Sequence, residues 1–437
     1  MTDLERLLAL DRKHLWHPYT QQATAPAPLA IASGKGAWLR GMDGRDYLDL
    51  IASWWVAIHG HAHPAIAAAI ARQAETLEQV IFAGFTHEPA VRLAEALTAR
   101  LPEGLTRIFF SDDGSTAVEV ALKMACQYWR NLGRERTRFL AFEGGYHGDT
   151  VGAMSASRNS GFFSSFAPLL FEVDFLPFPA TWEQDQEVEQ KETEALRVLD
   201  GYLERHGQAC AAAIFEPLAQ GAAGMRMCRP KFLQTFAEKI RQAGILLIAD
   251  EVMTGFGRTG TMFACGKAGI APDMICLSKG LTGGFLPMAV TACREEIYAA
   301  FLGETFDRAL AHGHSFTANG LGCAAALASL ALFETEQTLE RVAAIEALHR
   351  ERLAGLTGHP AMRHPRVMGA IAALELVMPE SGYASSATPR LIRFFLDRGL
   401  IIRPLGAVLY LMPPYCIAPE ELHRGWDGMR DALDRFR

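Results

Sequence analysis

Two short apolar runs that each stop on a charged side chain constrain this sequence more than anything else in it. Ile245-Leu-Leu-Ile-Ala ends at Asp250, and Met274-Ile-Cys-Leu ends at Ser278 and Lys279. Runs of this length and composition suit strands of a sheet covered on both faces. The stretch between them leaves room for a loop and a return strand. In an open α/β sheet the carboxyl ends of the strands form the ligand crevice, so both side chains would reach one site. A lysine amine there can form a Schiff base with an aldehyde. A carboxylate there can keep a pyridine nitrogen protonated, which makes the ring an electron sink. Pyridoxal phosphate (PLP) needs that pairing from a protein. For the two residues taken alone, capping of neighbouring loops is the competing explanation.

The pattern around them extends the same architecture. Helical stretches are expected over 64–78, 88–100, 115–130 and 231–243, and strands at 107–110, 139–142, 211–215, 245–249 and 274–277. This alternation predicts an α/β fold, a mainly parallel sheet wrapped by helices. Residues 36–50 read as a hairpin turning at Gly41-Met-Asp-Gly. Beyond Glu334 a long helix, strands near 369–377 and 409–412, and a helix near 389–398 predict a smaller α+β domain. The expected division is 1–63 and 335–437 for that small domain, and 64–334 for the large one, in keeping with 437 residues being too many for one ordinary core.

Composition removes several function classes. A formal net charge of −7 argues against nucleic acid or an acidic membrane surface as partner. No apolar run reaches the roughly 20 residues of a membrane helix. Eight scattered cysteines without a Cys-x-x-Cys pair, and an N-terminus unlike a signal peptide, predict reduced thiols and a cytoplasmic protein.

Several motifs carry chemistry, each with a plainer explanation beside it. Gly114, Ser115 and Thr116 join a strand to a helix, where backbone N–H groups and the helix dipole can hold a phosphate. Capping by Ser115 or Thr116 with Glu119 is the plainer one. Tyr146, after a glycine pair at a strand end, can lie over a ring or reach a substrate, or simply sit half-buried. Gly255-Phe-Gly-Arg-Thr-Gly has the dinucleotide-binding spacing, but no helical stripe follows it, so nicotinamide binding is rejected. His59-Gly-His-Ala-His lacks a carboxylate or Cys partner at metal spacing, so no metal is expected. Trp54 and Trp55, in an extended segment, are either core anchors or the wall of an apolar pocket. Arg403, inside an apolar run, needs an anionic partner, either a structural one or a ligand.

Taken together, Ala249-Asp-Glu-Val-Met-Thr-Gly-Phe-Gly-Arg-Thr-Gly and Leu277-Ser-Lys-Gly-Leu-Thr-Gly-Gly resemble the class III, PLP-dependent aminotransferases of fold type I. His14-Leu-Trp-His-Pro-Tyr-Thr, Ser53-Trp-Trp-Val-Ala-Ile-His-Gly and Ile402-Arg-Pro-Leu-Gly resemble the branch of that class acting in biotin synthesis. The resemblance implies amination of 8-amino-7-oxononanoate with S-adenosylmethionine as donor. Lysine as donor, or another ω-amino acid or diamine reaction of the class, stays open. It assigns Lys279 the covalent link to PLP, Asp250 the pyridine nitrogen, and Tyr146 the ring and substrate. Gly114 and Ser115 would hold the phosphate. Tyr19, Trp54, Trp55 and Arg403 would line the substrate pocket, with Arg258 a second candidate for its carboxylate. Gly313, His314 and Ser315 would reach the site of a neighbouring copy, implying a homodimer with shared sites, although His314 stands where the familiar pattern has proline.

Overall fold

The computed structural model describes residues 2–157, 163–378 and 387–436. Its centre is a seven-stranded sheet. From one edge to the other the strands are Leu105–Ser111, Ala289–Arg294, Met274–Leu277, Leu246–Asp250, Cys210–Phe215, Arg138–Phe142 and Asp174–Leu176. Six run the same way. Ala289–Arg294 is antiparallel to both neighbours, pairing Leu277 with Val290 and Ala289 with Ser111. That strand and the short Asp174–Leu176 lie outside the elements expected from the pattern. The reversal follows from the loop after Lys279, where Gly283 and Gly284 take φ of 63° and 85° and turn the chain straight back.

The alternating sides of each strand divide the interior in two. Leu246 and Ile248 face the helix Gly114–Asn131, through Ala117, Val118, Val120 and Ala121. Leu247 and Ala249 face the other way, toward the helix Pro230–Gln242 and its Phe232, Leu233, Phe236 and Ile240. Both faces being covered explains why these strands are apolar throughout rather than alternating.

Smaller sheets flank this body. Ile31–Lys35, Trp38–Gly41 and Asp46–Asp49 form the hairpin region, and Leu400–Ile401 joins it in parallel, pairing Leu400 with Leu48. The two ends of the chain therefore share one sheet. Met362–Met368, Ile371–Leu376 and Val408–Leu411 make an antiparallel sheet beside it. The helices Asp3–His14 and Pro419–Arg435 were also outside the pattern.

The expectation of an extended segment at Trp54-Trp55 is corrected. Ala52–Trp55 forms a kinked helical turn in which Ala52, Ser53 and Trp55 take φ of 49°, 61° and 67°. Strand propensity of the tryptophans is overridden because the preceding Asp49 captures main-chain N–H groups of the turn.

Phe236 packs its ring 4.9 Å from Phe142 and 5.6 Å from Phe215 on the buried face of the sheet. Phe236→Ala is expected to lower unfolding free energy by about 3–5 kcal/mol while preserving the far-ultraviolet circular dichroism. Denaturant titration would measure it, and a loss under about 1 kcal/mol would contradict this account of the core.

Candidate active site

The carboxyl ends of the parallel strands converge on a cavity of about 470 Å³. Asp250 closes the strand Leu246–Asp250 and is only 3% exposed. Its Oδ1 accepts the Val252 N–H at 3.0 Å, and its Oδ2 lies 2.7 Å from Nδ1 of His147. His147 is buried; its main-chain N–H donates to Ser157 Oγ at 2.8 Å, and among the described residues Nε2 has no partner. Burial alone would lower the His147 pKa, but the hydrogen bond and charge of Asp250, joined by Glu216, raise it. The Asp250 side chain and the His147 ring thus form a buried hydrogen-bonded pair at 2.7 Å.

Lys279 stands across the cavity, at the start of a 3₁₀ turn and with φ of 44°. This left-handed conformation in a lysine is strained, and such strain concentrates at functional sites. Dehydration lowers its amine pKa, and Arg258 adds to this, while Asp250 and Glu216 oppose it. A half-buried amine so placed is closer to a nucleophile than a surface lysine is. Its Nζ lies 5.5 Å from the centre of the Trp55 ring.

Gly114 and Ser115 begin the helix Gly114–Asn131. The plainer explanation, capping by Ser115 or Thr116 with Glu119, does not hold: Asp113 caps the helix, accepting the Thr116 N–H at 3.0 Å, and Thr116 Oγ1 accepts the Asp113 N–H in return. Ser115 is therefore not used as the cap. Its Oγ accepts the Asp149 N–H at 3.1 Å and faces the cavity. A Cβ on Gly114 would stand 2.7 Å from Val252 Cγ1, so the approach of this turn to the cavity wall needs glycine.

A second cavity of about 310 Å³ adjoins the first and shares Trp55, Tyr146 and Lys279 with it. Its wall includes Tyr19, Trp54, Arg403 and Tyr410. Tyr19 and Trp54 meet edge to face at 5.9 Å. Tyr146 and Tyr19 both donate to Asp149, at 2.9 and 2.7 Å. Burial, then the neighbouring Tyr19 and Asp149, raise the Tyr146 pKa. The Arg403 guanidinium rests 5.0 Å from the Trp54 ring centre, and among the described residues no carboxylate pairs with it. An arginine held that way at a cavity wall offers its fork to an anionic ligand.

The remaining candidates lie elsewhere. Arg258 is 1% exposed and donates to the carbonyls of Trp55 and Pro413, at 3.0 and 3.1 Å, behind the wall rather than in it. Gly313, His314 and Ser315 line neither cavity; His314 Nδ1 is 3.7 Å from Asp112, and Ser315 accepts a bond from Gln79 through its carbonyl. The three histidines of the early motif are separately engaged, by Ser329, Asp49 and Glu336.

Three polar members of the site escaped sequence reasoning: His147, Asp149 and Glu216. The first two follow Tyr146 by one and three residues. Glu216 follows the apolar strand Cys210–Phe215 as Asp250 follows its own, so the same signal was present. Glu216 accepts the N–H groups of Tyr146 and Gly221, at 3.0 and 2.9 Å. Burial pushes its pKa up from 4.5 to about 7, against the lowering pull of His147 and with the help of Asp250.

That shift has a definite sign. From pH 4.5 to about 7 the unfolded chain has released a proton that folded Glu216 retains, so this group subtracts stability as pH rises through that window. Glu216→Gln has no such term. The variant should therefore gain on the parent protein between pH 5 and pH 8, by up to about 1.4 kcal/mol per pH unit inside the window. Denaturant unfolding at four pH values checks this; a difference independent of pH would refute it.

The family model of aminotransferase class-III matches residues 19–433. The adenosylmethionine-8-amino-7-oxononanoate aminotransferase of Synechococcus elongatus is 55% identical over 423 residues, covering 97% of this chain and 99% of that protein. Among solved structures, the enzyme of the same name from Methanocaldococcus jannaschii superposes with a TM-score of 0.92 at 35% identity, covering 99% of this chain and all of that one. An amine transaminase from an uncultivated Pseudomonas species, solved in its PLP-bound form, gives 0.90 at 32% identity, covering 97% of this chain and 99% of that one. With a match spanning both cavities and nearly the full length, the chain belongs to the class III aminotransferases, which are PLP-dependent transferases of fold type I.

Proposed function

We propose that this protein binds PLP and transfers an amino group from S-adenosylmethionine to 8-amino-7-oxononanoate, producing 7,8-diaminononanoate for biotin synthesis. The observation that carries the reading is one lysine, Lys279, shared by a cavity ending in Asp250 and a cavity ending in Arg403. The names and high identity of the nearly full-length relatives support the substrate pair.

The residues present fit the cofactor. The cavity has the volume of a small-ligand site. Its floor carries the buried Asp250 side chain hydrogen-bonded to His147, which suits a protonated ring nitrogen. Its far end is a helix N-terminus with Ser115 Oγ and a glycine approach, which suits a phosphate. When bound, PLP supplies an aldehyde for amine exchange and an electron sink for the pair left when a proton departs.

The protein's own groups do the rest. Lys279 Nζ would hold the cofactor's aldehyde and, when free, would serve as the base and acid that moves the substrate proton. Asp250 is held in place by His147 Nδ1 and the Val252 N–H, which offset part of the cost of burying it. Tyr146, which lines both cavities beside Asp149, would bound the cofactor and the substrate. Arg403 grips the distal carboxylate of the keto substrate, and Tyr19, Trp54 and Trp55 enclose its chain. The same aromatic faces suit a sulfonium donor, worth about 0.5–2 kcal/mol.

We infer pairing of two copies as well. Trp16, Ile81, Phe85, Phe306 and Phe316 are strongly exposed apolar side chains, costly to leave in water. The segment Gly313–Ser315, away from the cavities of its own chain, is the part we assign to the partner's phosphate end. A cytoplasmic setting suits eight free thiols. No described helix is long and apolar enough to cross a membrane.

Lys279→Ala should abolish the visible absorbance of bound cofactor and lower turnover by at least about 10²–10⁴-fold. Near-normal rates would remove Lys279 from its role. The donor is tested by single turnover of the PLP form with S-adenosylmethionine and lysine separately, followed by absorbance. Conversion by S-adenosylmethionine is the expected result; conversion by lysine alone would replace the donor and leave the aminotransferase reading standing.

A further inference from the structure

The wall of the second cavity stands on an unfavourable piece of backbone. Ala52, Ser53 and Trp55 are all in the left-handed region without being glycine. Each such residue costs on the order of 1–3 kcal/mol and persists only where its surroundings over-determine it. What over-determines this turn is Asp49, a carboxylate with no exposed surface. Its Oδ1 accepts the Ile51 N–H at 3.0 Å, and its Oδ2 accepts the Ser53 N–H at 2.6 Å. His61 Nε2 closes the set at 2.8 Å from Oδ2. The far end of the turn is tied through the Trp55 carbonyl to Arg258 and through Trp55 Nε1 to Tyr410.

The turn also touches the lysine side of the site. A Cβ on Gly284, in the loop following Lys279, would stand 2.9 Å from the carbonyl carbon of Val56. A Cβ on Gly280 would meet the Ile58 side chain at 3.3 Å. A shift of the turn would therefore move Trp54 and Trp55 relative to both Lys279 and Arg403, whose guanidinium rests on the Trp54 ring.

We propose that Asp49, steadied by His61, is a positioning residue for substrate selection: it holds the Ala52–Trp55 turn so that Trp54 and Arg403 together grip long, carboxylate-ended substrates. Asp49 touches neither substrate nor cofactor; it acts through Trp54. The inference rests on Arg403 and Trp54 forming the substrate pocket, as proposed above. Asparagine at position 49 cannot substitute, because whichever way its amide is turned, an NH₂ group meets one of the two main-chain N–H donors.

The test is a double-mutant cycle on the PLP-loaded protein, with Asp49→Asn and Trp54→Ala made singly and together. Conversion of bound cofactor is followed by absorbance, with a long amino acid whose amine is distal to its carboxylate (8-aminooctanoate) and with propylamine, a short amine lacking a carboxylate. Asp49→Asn is expected to lower the second-order rate with 8-aminooctanoate by about 10–100-fold, and with propylamine by no more than about 2-fold. In the Trp54→Ala background the same substitution should change the 8-aminooctanoate rate by less than about 3-fold, because the two act as one unit. Equal losses with both amines, or the same loss in both backgrounds, would overturn the proposal. Should Asp49→Asn fail to load cofactor, His61→Gln replaces it in the cycle, with a smaller loss in the same selective pattern expected and an unselective loss overturning. Failure of the parent protein to aminate 8-amino-7-oxononanoate would count against the proposed function, while the amine comparison would still decide the role of Asp49.

Discussion

A carboxylate buried at the end of a central strand governs much of this molecule. Asp250 has almost no contact with solvent, and an isolated charge there would neutralise itself or unfold its surroundings. It stays usable because His147 and the Val252 N–H face its two oxygens. That requirement fixes the chain after Phe142, since Gly144 to Gly148 must bring His147 beneath the sheet edge. The same loop then delivers Tyr146 and Asp149 to the cavity mouth. One electrostatic need thus places several of the groups that a ligand would meet.

Lys279 depends on the same environment from the opposite direction. Dehydration favours its neutral amine, and the two nearby carboxylates restrain how far that goes. The antiparallel return strand Ala289–Arg294 holds this balance mechanically. It pairs with Leu277 and brings Met288 to accept the Ser278 hydroxyl at 2.9 Å, so the strained lysine is pinned immediately upstream. A wholly parallel arrangement would have carried the chain away from the site at this point.

The two cavities divide the work by chemistry. The first is lined by the Asp250–His147 pair, Glu216 and a helix N-terminus, groups that address a charged ring and an anion. The second is aromatic with one stacked arginine, which addresses an apolar chain with an anionic end. Lys279, Trp55 and Tyr146 belong to both. Strain in the backbone falls at the boundary, at Lys279 and at the Trp54-Trp55 turn. Both positions are held by buried polar partners, which is what lets an unfavourable conformation survive.

The sequence alone determined the alternation of strands and helices, the convergence of Asp250 and Lys279, and the glycine approach at Gly114. Each follows from local rules: apolar run length, the end of a strand, the absence of a Cβ. Glu216 carried the same strand-end signal as Asp250, whereas the roles of His147 and Asp49 were not readable in that way. A carboxylate or imidazole in a motif looks the same whether it caps a turn or faces a second buried charge. Only folding brings Asp49 to His61 and the Ser53 N–H, sets Arg258 behind Trp55 instead of in the pocket, and reverses Ala289–Arg294 against its neighbours. The Asp49 contacts are close in sequence and the other two join segments far apart, but in each hydrogen-bond satisfaction and packing override local propensity.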